Sequence, residues 1–353
     1  HVVTHPKFHT GSVQLDGLSV DFATARTEFY QYPAALPTAE HSSVREDLYR
    51  RDFTVNAMAM QLNGEEPGRL LDPFGGSRDL IEGTIRVLHN LSFVEDPTRI
   101  LRAVRFEARF GFLMDERTEE LARHAIELEM LDRVSGQRIR EELLQLFARP
   151  FPENGLRRMH ALGVLAALEP AWSFTGPAPE FGRLEDALAW AAGEPEVVAH
   201  LIDTAHMRLL LSFADLSFEA ACRLADRLRL RKKEAALACQ IAGLREIRTV
   251  LEDDTLTIST TNERLRRLPV AACLLLLALS DNQLVWERVK EHLLVWRGLP
   301  PLLTGDDLHQ LGIPRGPRYT RLMQALREAQ LDGQITTAKE AREMVKQLEG
   351  GGG

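Results

Sequence analysis

Residues 95–106 read Glu-Asp-Pro-Thr-Arg-Ile-Leu-Arg-Ala-Val-Arg-Phe, and this stretch marks where the chain turns from mixed structure to helix. Pro97 suits a first helical position, because its φ is already helical and its missing N–H would have no partner there; Asp96 then serves as the cap. Ile100, Leu101, Val104 and Ala108 recur at helical spacing and form an apolar stripe. Asp96 and Arg99, at i and i+3, are expected on one face of that helix.

Working outward, residues 50–59 read Arg-Arg-Asp-Phe-Thr-Val-Asn-Ala-Met-Ala and place two arginines, a carboxylate and an amide before an apolar run. Nearer the N-terminus, Val13, Leu15, Leu18, Val20 and Phe22 alternate around Asp16-Gly17, a strong hairpin signal, so residues 1–30 read as short strands. Residues 27–49 read as irregular, with Pro33, Pro37 and Ser42-Ser43, and Asp72-Pro73-Phe74-Gly75-Gly76 is a break. After Asp96 strand signals almost vanish. Helices are expected over 117–131, 136–147 and 153–168, then a Pro/Gly-rich boundary over 169–182. Helical patterns resume through Arg248, over 263–279 and over 283–297, and three short helices close the chain over 305–348. The predicted fold class is α+β, a small mixed α/β head followed by an elongated all-helical remainder.

At 353 residues the chain is long enough for two to three domains, and 44% apolar with 27% charged residues fits a soluble globular protein. A formal net charge of −8 excludes a globally basic nucleic-acid binder, so RNA contact must come from local patches. Cys222, Cys239 and Cys273 form no C-x-x-C pair, and their odd number argues against a disulfide framework and for a reducing cytoplasm. The longest apolar run, 270–279, is about half a membrane span and reads as a buried helix, not a membrane segment. No signal peptide is recognised, the chain reads as beginning inside a structural unit, and Gly350–Gly353 reads as a flexible end.

Several residues have side chains suited to nucleotide chemistry. A carboxylate such as Asp96 accepts from an exocyclic amine and a guanidinium such as Arg99 donates to ring acceptors. Together they read cytosine through N4 and N3 or adenine through N6 and N1, and mismatch the reversed edges of uracil and guanine. Arg102, one turn on, reaches a phosphate or orients Asp96. Arg50 and Arg51 suit triphosphate oxygens by their fork geometry, and Asn56 suits a sugar hydroxyl. Asp21, projecting from a strand, has the chemistry of a Mg²⁺ ligand. Taken singly, each has a plainer reading: a helix cap with a surface ion pair, a charged helix start, an exposed strand carboxylate. Residues 222–248 carry eight Lys or Arg against three acids, a local net of +5 that suits phosphate-backbone contact through Arg229, Arg231, Lys232 and Lys233; Arg315 and Arg318 belong to a smaller cluster. His1, His5 and His9 have helical metal-face spacing, but Pro6 argues against a helix there.

Order and spacing together say more. Val20–Arg26, Arg50–Ala59, Asp72–Gly76 with Asp79-Leu80, and Glu95–Phe106 occur in series, followed by Val134–Ile139 with Glu141-Glu142-Leu143, Arg227–Glu234, and Gly312–Pro317 before Leu331-Asp332-Gly333. This series resembles the class II tRNA nucleotidyltransferase and bacterial poly(A) polymerase family across nearly the whole chain. The resemblance implies a partial nucleotidyltransferase head with linker over 1–88, a helical neck with the nucleotide-selecting motif over 89–168, a helical body over 169–280 and a helical tail over 281–353. It implies Asp21 as a catalytic metal ligand, Arg50, Arg51, Asp52 and Asn56 as the triphosphate and ribose motif, and Glu95, Asp96, Arg99 and Arg102 as the nucleotide-selecting helix. The implied reaction is template-independent addition of C and/or A from CTP or ATP to the 3′ end of tRNA, with Mg²⁺ as cofactor. One departure stands out. The family's paired Asp-x-Asp before this point has no counterpart in the twenty residues before Asp21, so the chain alone is expected to be inactive or nearly so. Poly(A) addition, or a non-catalytic RNA-binding derivative of the fold, are the alternatives.

Overall fold

The computed structural model describes residues 2–5, 10–29, 31–35, 38–314 and 316–350. Two of the three spaced histidines, His1 and His9, and the RNA-contact candidate Arg315 lie outside the described residues. The chain divides into two compact units, residues 1–176 with 226–230, and residues 177–225 with 231–353.

The first unit opens on a three-stranded antiparallel sheet, β1 (Val2–His5), β2 (Thr10–Leu15) and β3 (Leu18–Ala23), in that spatial order. Leu15 pairs with Leu18 across a two-residue turn in which Asp16 and Gly17 both have positive φ (48° and 82°). That is the conformation for which Asp-Gly is the preferred pair, because it matches the twist of the strands it joins. A second hairpin follows, β4 (Arg26–Phe29) with β5 (Thr38–His41), then helix α1 (Val44–Tyr49), whose first turn is capped by the Ser43 hydroxyl. Residues 27–49 are therefore not irregular. Each strand has only four residues and lacks regular apolar alternation, so the sequence carried no strand signal there.

Short pairs β6 (Ala59–Met60) with β7 (Leu70–Leu71), helix α2 (Gly76–Glu82) and strand β8 (Thr84–Ile85) lead to α3 (Ser92–Glu95) and α4 (Thr98–Phe110). Gly76 packs directly on residue 54: a Cβ there would lie 2.2 Å from the Thr54 carbonyl oxygen. Strand β9 (Leu113–Met114) pairs in parallel with β8. Then come α5 (Glu116–Glu127), α6 (Gly136–Phe147), α7 (Glu153–Leu162) and α8 (Val164–Leu168). The single helix expected over 153–168 is split at Gly163, whose φ of 89° suits a helix C-terminus. Helix α4 buries Ile100, Leu101 and Val104 against α6 and α7, which contribute Ile139, Leu143 and Leu156. Three residues of the apolar stripe read from the sequence form this face, whereas the fourth, Ala108, is exposed.

Every regular element described in the second unit is a helix, from Pro179–Ala192 to Ala338–Gly350. The run expected to be a buried helix is one: every residue of Val270–Ala278 is buried, and it packs on Pro179–Ala192. No helix among the described residues is long and apolar enough to cross a membrane. The expectation of no disulfide is corrected. Cys222 and Cys239, on the successive helices Phe218–Arg227 and Lys232–Ile241, are bridged with Cα atoms 4.9 Å apart, within bridging range. The odd count misled because the third cysteine, Cys273, is buried alone, its thiol pushed up to about 12 by burial. The cysteine argument for a reducing compartment falls with it.

His292 opens a π-helical turn, His292–Trp296, and is 1% exposed. Its Nδ1 lies 3.1 Å from the Asn262 Oδ1. That oxygen can only accept, so Nδ1 carries the proton. Burial, with the Arg297 charge adding to it, pushes the imidazole down from 6.5 to about 4. The neutral ring is the folded form, so its stabilisation is complete above the unfolded value and is lost as pH falls towards the folded one. Between pH 6.5 and 4 the second unit is expected to lose about 3 kcal/mol through this group. Denaturation midpoints across that range check this: His292→Gln should flatten the acid limb, and an unchanged limb would refute the assignment.

Candidate nucleotide-binding site

The start of α4 forms one wall of a cleft of about 510 Å³ lined by residues of the first unit. That is the size range of small-ligand sites, ~300–1,000 Å³. Asp96 sits just before the helix, in extended backbone (φ −136°, ψ 93°), not on its face beside Arg99. Its Oδ1 accepts from the Thr98 amide (3.1 Å), the Thr98 hydroxyl (2.6 Å) and Arg138 Nη2 (2.9 Å). The helix begins one residue later than the sequence suggested, with Pro97 and not Asp96 at the N-cap position; Asp96 still bonds the first helical amide, and its cationic partner comes from α6. Its Oδ2 has no hydrogen-bond partner among the described residues.

Arg99 is 5% exposed and lines the cleft. It donates through Nη1 to the Ser92 hydroxyl (2.7 Å) and through Nη2 to the Arg50 carbonyl (2.9 Å). Two of its five N–H groups are thereby fixed, which holds the guanidinium plane in place and leaves the others for a ligand. Glu95 turns away to His89, 3.4 Å off. Burial, helped by the Arg99 charge and opposed by Glu95, keeps His89 below the usual imidazole range.

Asp52 is 8% exposed and is the centre of a buried network. Its Oδ1 accepts from the Phe53 amide and from Asn56 Nδ2, each at 2.9 Å, and its Oδ2 accepts from Arg102 Nε (2.9 Å) and Nη2. Burial alone would push this carboxyl up. The Arg102 charge and the three donors outweigh it and hold Asp52 below its ordinary value. Arg102 therefore orients Asp52, not Asp96, and Asn56 offers only its oxygen and one remaining N–H. Glu142 lies 3.5 Å from both Arg102 Nη1 and Arg105 Nη2.

The two arginines at the end of α1 differ. Arg50 is tied down by Glu28 Oε1 (2.8 Å), Asp47 Oδ1 (2.7 Å) and the Arg26 carbonyl (3.2 Å). Arg51 makes one bond, to Asp47 Oδ2 (2.9 Å), and its side chain is 44% exposed. Residues missed in the sequence also line the cleft: Glu28, Thr98, Arg138 and Glu142. Arg138 and Glu142 stood inside a quoted motif, but nothing local indicated that α6 would face α4.

Comparison with known proteins now adds to this geometry. Residues 1–86 match the poly A polymerase head domain, and residues 111–174 match the probable RNA and SrmB-binding site of polymerase A. An A-adding tRNA nucleotidyltransferase of Halalkalibacterium halodurans is 30% identical over 352 residues, covering 98% of this chain and 78% of the relative. The chain belongs to the class II tRNA nucleotidyltransferase family. A second A-adding tRNA nucleotidyltransferase, of Geobacter sulfurreducens, is 36% identical over 344 residues, and the chain spans 95% of itself but only 39% of that relative's length. Among solved structures, the Thermotoga maritima CCA-adding enzyme complexed with tRNA is 32% identical, with a TM-score of 0.71 over 98% of this chain and 80% of that one.

Class II family membership directs attention to the metal and RNA candidates. Asp21 projects from the exposed strand β3 and accepts a hydrogen bond from the paired Ser12 hydroxyl. Among the described residues no cluster of three or more His, Cys, Asp or Glu is placed to hold a metal ion. Asp21 with these neighbours does not make a two-metal cage. Of the basic run, Arg227 donates to the Leu131 and Val134 carbonyls, Arg245 to Asp215 and Arg248 to the Leu279 carbonyl, so those three serve the fold. Arg229 is exposed and bonds Asp226 at 3.2 Å; Arg318 bonds Glu349 at 2.8 Å. Arg231, Lys232 and Lys233 are exposed around the start of Lys232–Ile241.

Proposed function

We propose that this protein adds C and/or A to the 3′ end of tRNA from CTP or ATP, selecting the base with protein side chains in place of a template. The observation that carries this is the pairing, in one cleft, of a free carboxylate oxygen on Asp96 with an anchored guanidinium, Arg99. The first accepts from N4 of cytosine or N6 of adenine, and the second donates to the adjacent ring nitrogen. Arg51, the loosely held arginine, turns to the triphosphate, with Arg50 holding the wall that carries it. The Asn56 oxygen meets a ribose hydroxyl, and Arg102 keeps Asp52 ionised and oriented beside it. In the reaction the RNA 3′-hydroxyl oxygen bonds to the α-phosphorus, the bond to the departing pyrophosphate breaks, and the hydroxyl proton leaves to solvent. The same reading gives a head over 1–88, in which Asp21 would be one Mg²⁺ carboxylate and is insufficient alone, a neck over 89–168, a body over 169–280 and a tail over 281–353, and a cytoplasmic setting.

The test is incorporation of single labelled nucleotides into tRNA ending before C, before C-C or before A, alongside titration of each nucleotide into the protein. Binding of CTP or ATP over UTP and GTP is expected, with little or no incorporation by this chain alone, because Asp21 stands without a metal-holding cluster among the described residues. Equal binding of all four, or none, would sink the proposal. For the RNA-contact surface, Lys232→Glu/Lys233→Glu should weaken tRNA binding and reduce the log–log salt slope by about 0.7–0.9 per lost phosphate contact. An unchanged slope would remove these lysines from the interface.

A further inference from the structure

The C-terminal half of α4 faces a second concavity, of about 370 Å³, whose lining includes Arg105, Arg109, Gln145, Arg149 and Phe151 and no carboxylate. Three arginines meet there from two segments, the helix α4 and the connection between α6 and α7. Arg109 and Arg149 have no ion-pair partner among the described residues, and Arg109 lies over the Phe110 ring, 4.7 Å from its centroid. Arg105 has a buried Nε with no hydrogen-bond partner. Burial and the neighbouring arginine charges depress its basicity, with Glu142 in partial opposition.

Phe151 supplies the second observation. It is 60% exposed and has a φ of 60°, a left-handed conformation that bulky L-residues rarely adopt. Pro150 and Pro152 flank it, so the backbone on either side is restricted and the ring is held out beside the arginines. A cationic groove with a presented aromatic face is the arrangement that binds single-stranded nucleic acid, phosphates on the arginines and a base on the ring.

The groove follows the nucleotide cleft along α4, which lends residues to both. Arg102, Arg105 and Arg109 stand at i, i+3 and i+7 and form one stripe along α4. Glu142 touches both Arg102 and Arg105 and so sits at the junction of the two sites. Resting on the reading that the protein extends RNA, we infer that this groove holds the single-stranded segment just behind the reacting 3′ end, with backbone phosphates on Arg105, Arg109 and Arg149 and one base stacked on Phe151. The stacking is sequence-tolerant, because every base offers a π face, so the groove positions the strand while the cleft selects the incoming base.

The probe is a labelled single-stranded oligoribonucleotide, titrated into the whole protein at several salt concentrations, with ATP and CTP titrated separately. Phe151→Ala is expected to weaken oligoribonucleotide binding roughly 5- to 150-fold. Arg109→Gln/Arg149→Gln should lower the log–log salt slope by about 0.7 for each lost contact. All three residues are exposed, and unchanged ATP and CTP binding confirms that the variants fold. Oligoribonucleotide affinity and salt slope that do not move in these variants would overturn the inference. So would variants that lose a second bound equivalent of ATP but keep their RNA affinity, because the groove would then be a site for free nucleotide. If the unaltered protein binds RNA but neither ATP nor CTP, the reading of the cleft fails, and the RNA titrations still decide the groove.

Discussion

Arg102→Ala is expected to cost about 3 kcal/mol of stability and to weaken CTP and ATP binding. Asp52 is 8% exposed, and Arg102 is its only cationic partner among the described residues, through Nε and Nη2. Removing one member of a buried pair leaves an uncompensated charge out of water, which is far more damaging than never having had the pair. Hydrogen exchange of the amides around 52–57 and along α4 should report the loss locally, and urea unfolding should report it globally. The double variant Asp52→Asn/Arg102→Leu separates the two effects. It should regain most of the stability, because the asparagine needs no counter-charge, and it should still bind CTP and ATP weakly. A single variant as stable as the parent would show that Asp52 is compensated elsewhere. The pair also sets a pH dependence. Asp52 is held below its ordinary value, so its contribution is complete above about pH 4 and disappears as pH falls through the folded value.

Asp96→Asn is expected to reverse part of the base preference without unfolding anything. The asparagine carbonyl can keep the bonds from Thr98 and Arg138 that Oδ1 now accepts. The free Oδ2, however, becomes an NH₂ group, a donor where an acceptor stood. A donor there opposes the amines of cytosine and adenine and matches the carbonyl edges of uracil and guanine. The preference for CTP over UTP, read as the ratio of their dissociation constants, should fall roughly 5- to 150-fold, the equivalent of losing ~1–3 kcal/mol of base discrimination. Thermal stability should change little. A ratio that does not move would take Asp96 out of base selection and leave it as a support for the helix start.

Some parts of this site were legible because their physics is local. The Asp16-Gly17 turn followed from two residues that tolerate positive φ between alternating strands. The buried stripe of α4 and the all-buried Val270–Ala278 helix followed from apolar spacing, and the start of α4 was recognisable from the Asp-Pro that follows an apolar segment. The motif series around residues 50–59 and 95–106 pointed to the family before any coordinates. The short hairpin of β4 and β5 was not legible, because four-residue strands without apolar alternation carry no periodic signal.

The sequence by itself therefore determined the order of helices, the position of the cleft-forming segments and the residue types available to read a base. Tertiary structure alone decided which of those residues touch. It gave Asp96 to Arg138, 42 positions away, Arg99 to the Arg50 carbonyl, 49 positions away, and Arg102 to Asp52, 50 positions away. It also joined Cys222 to Cys239 and set Phe151 beside three arginines. The reason is that a side chain's type and its local backbone are fixed by near neighbours. Its charge partner depends on which helix faces pack together, and that is settled by apolar burial across the whole unit.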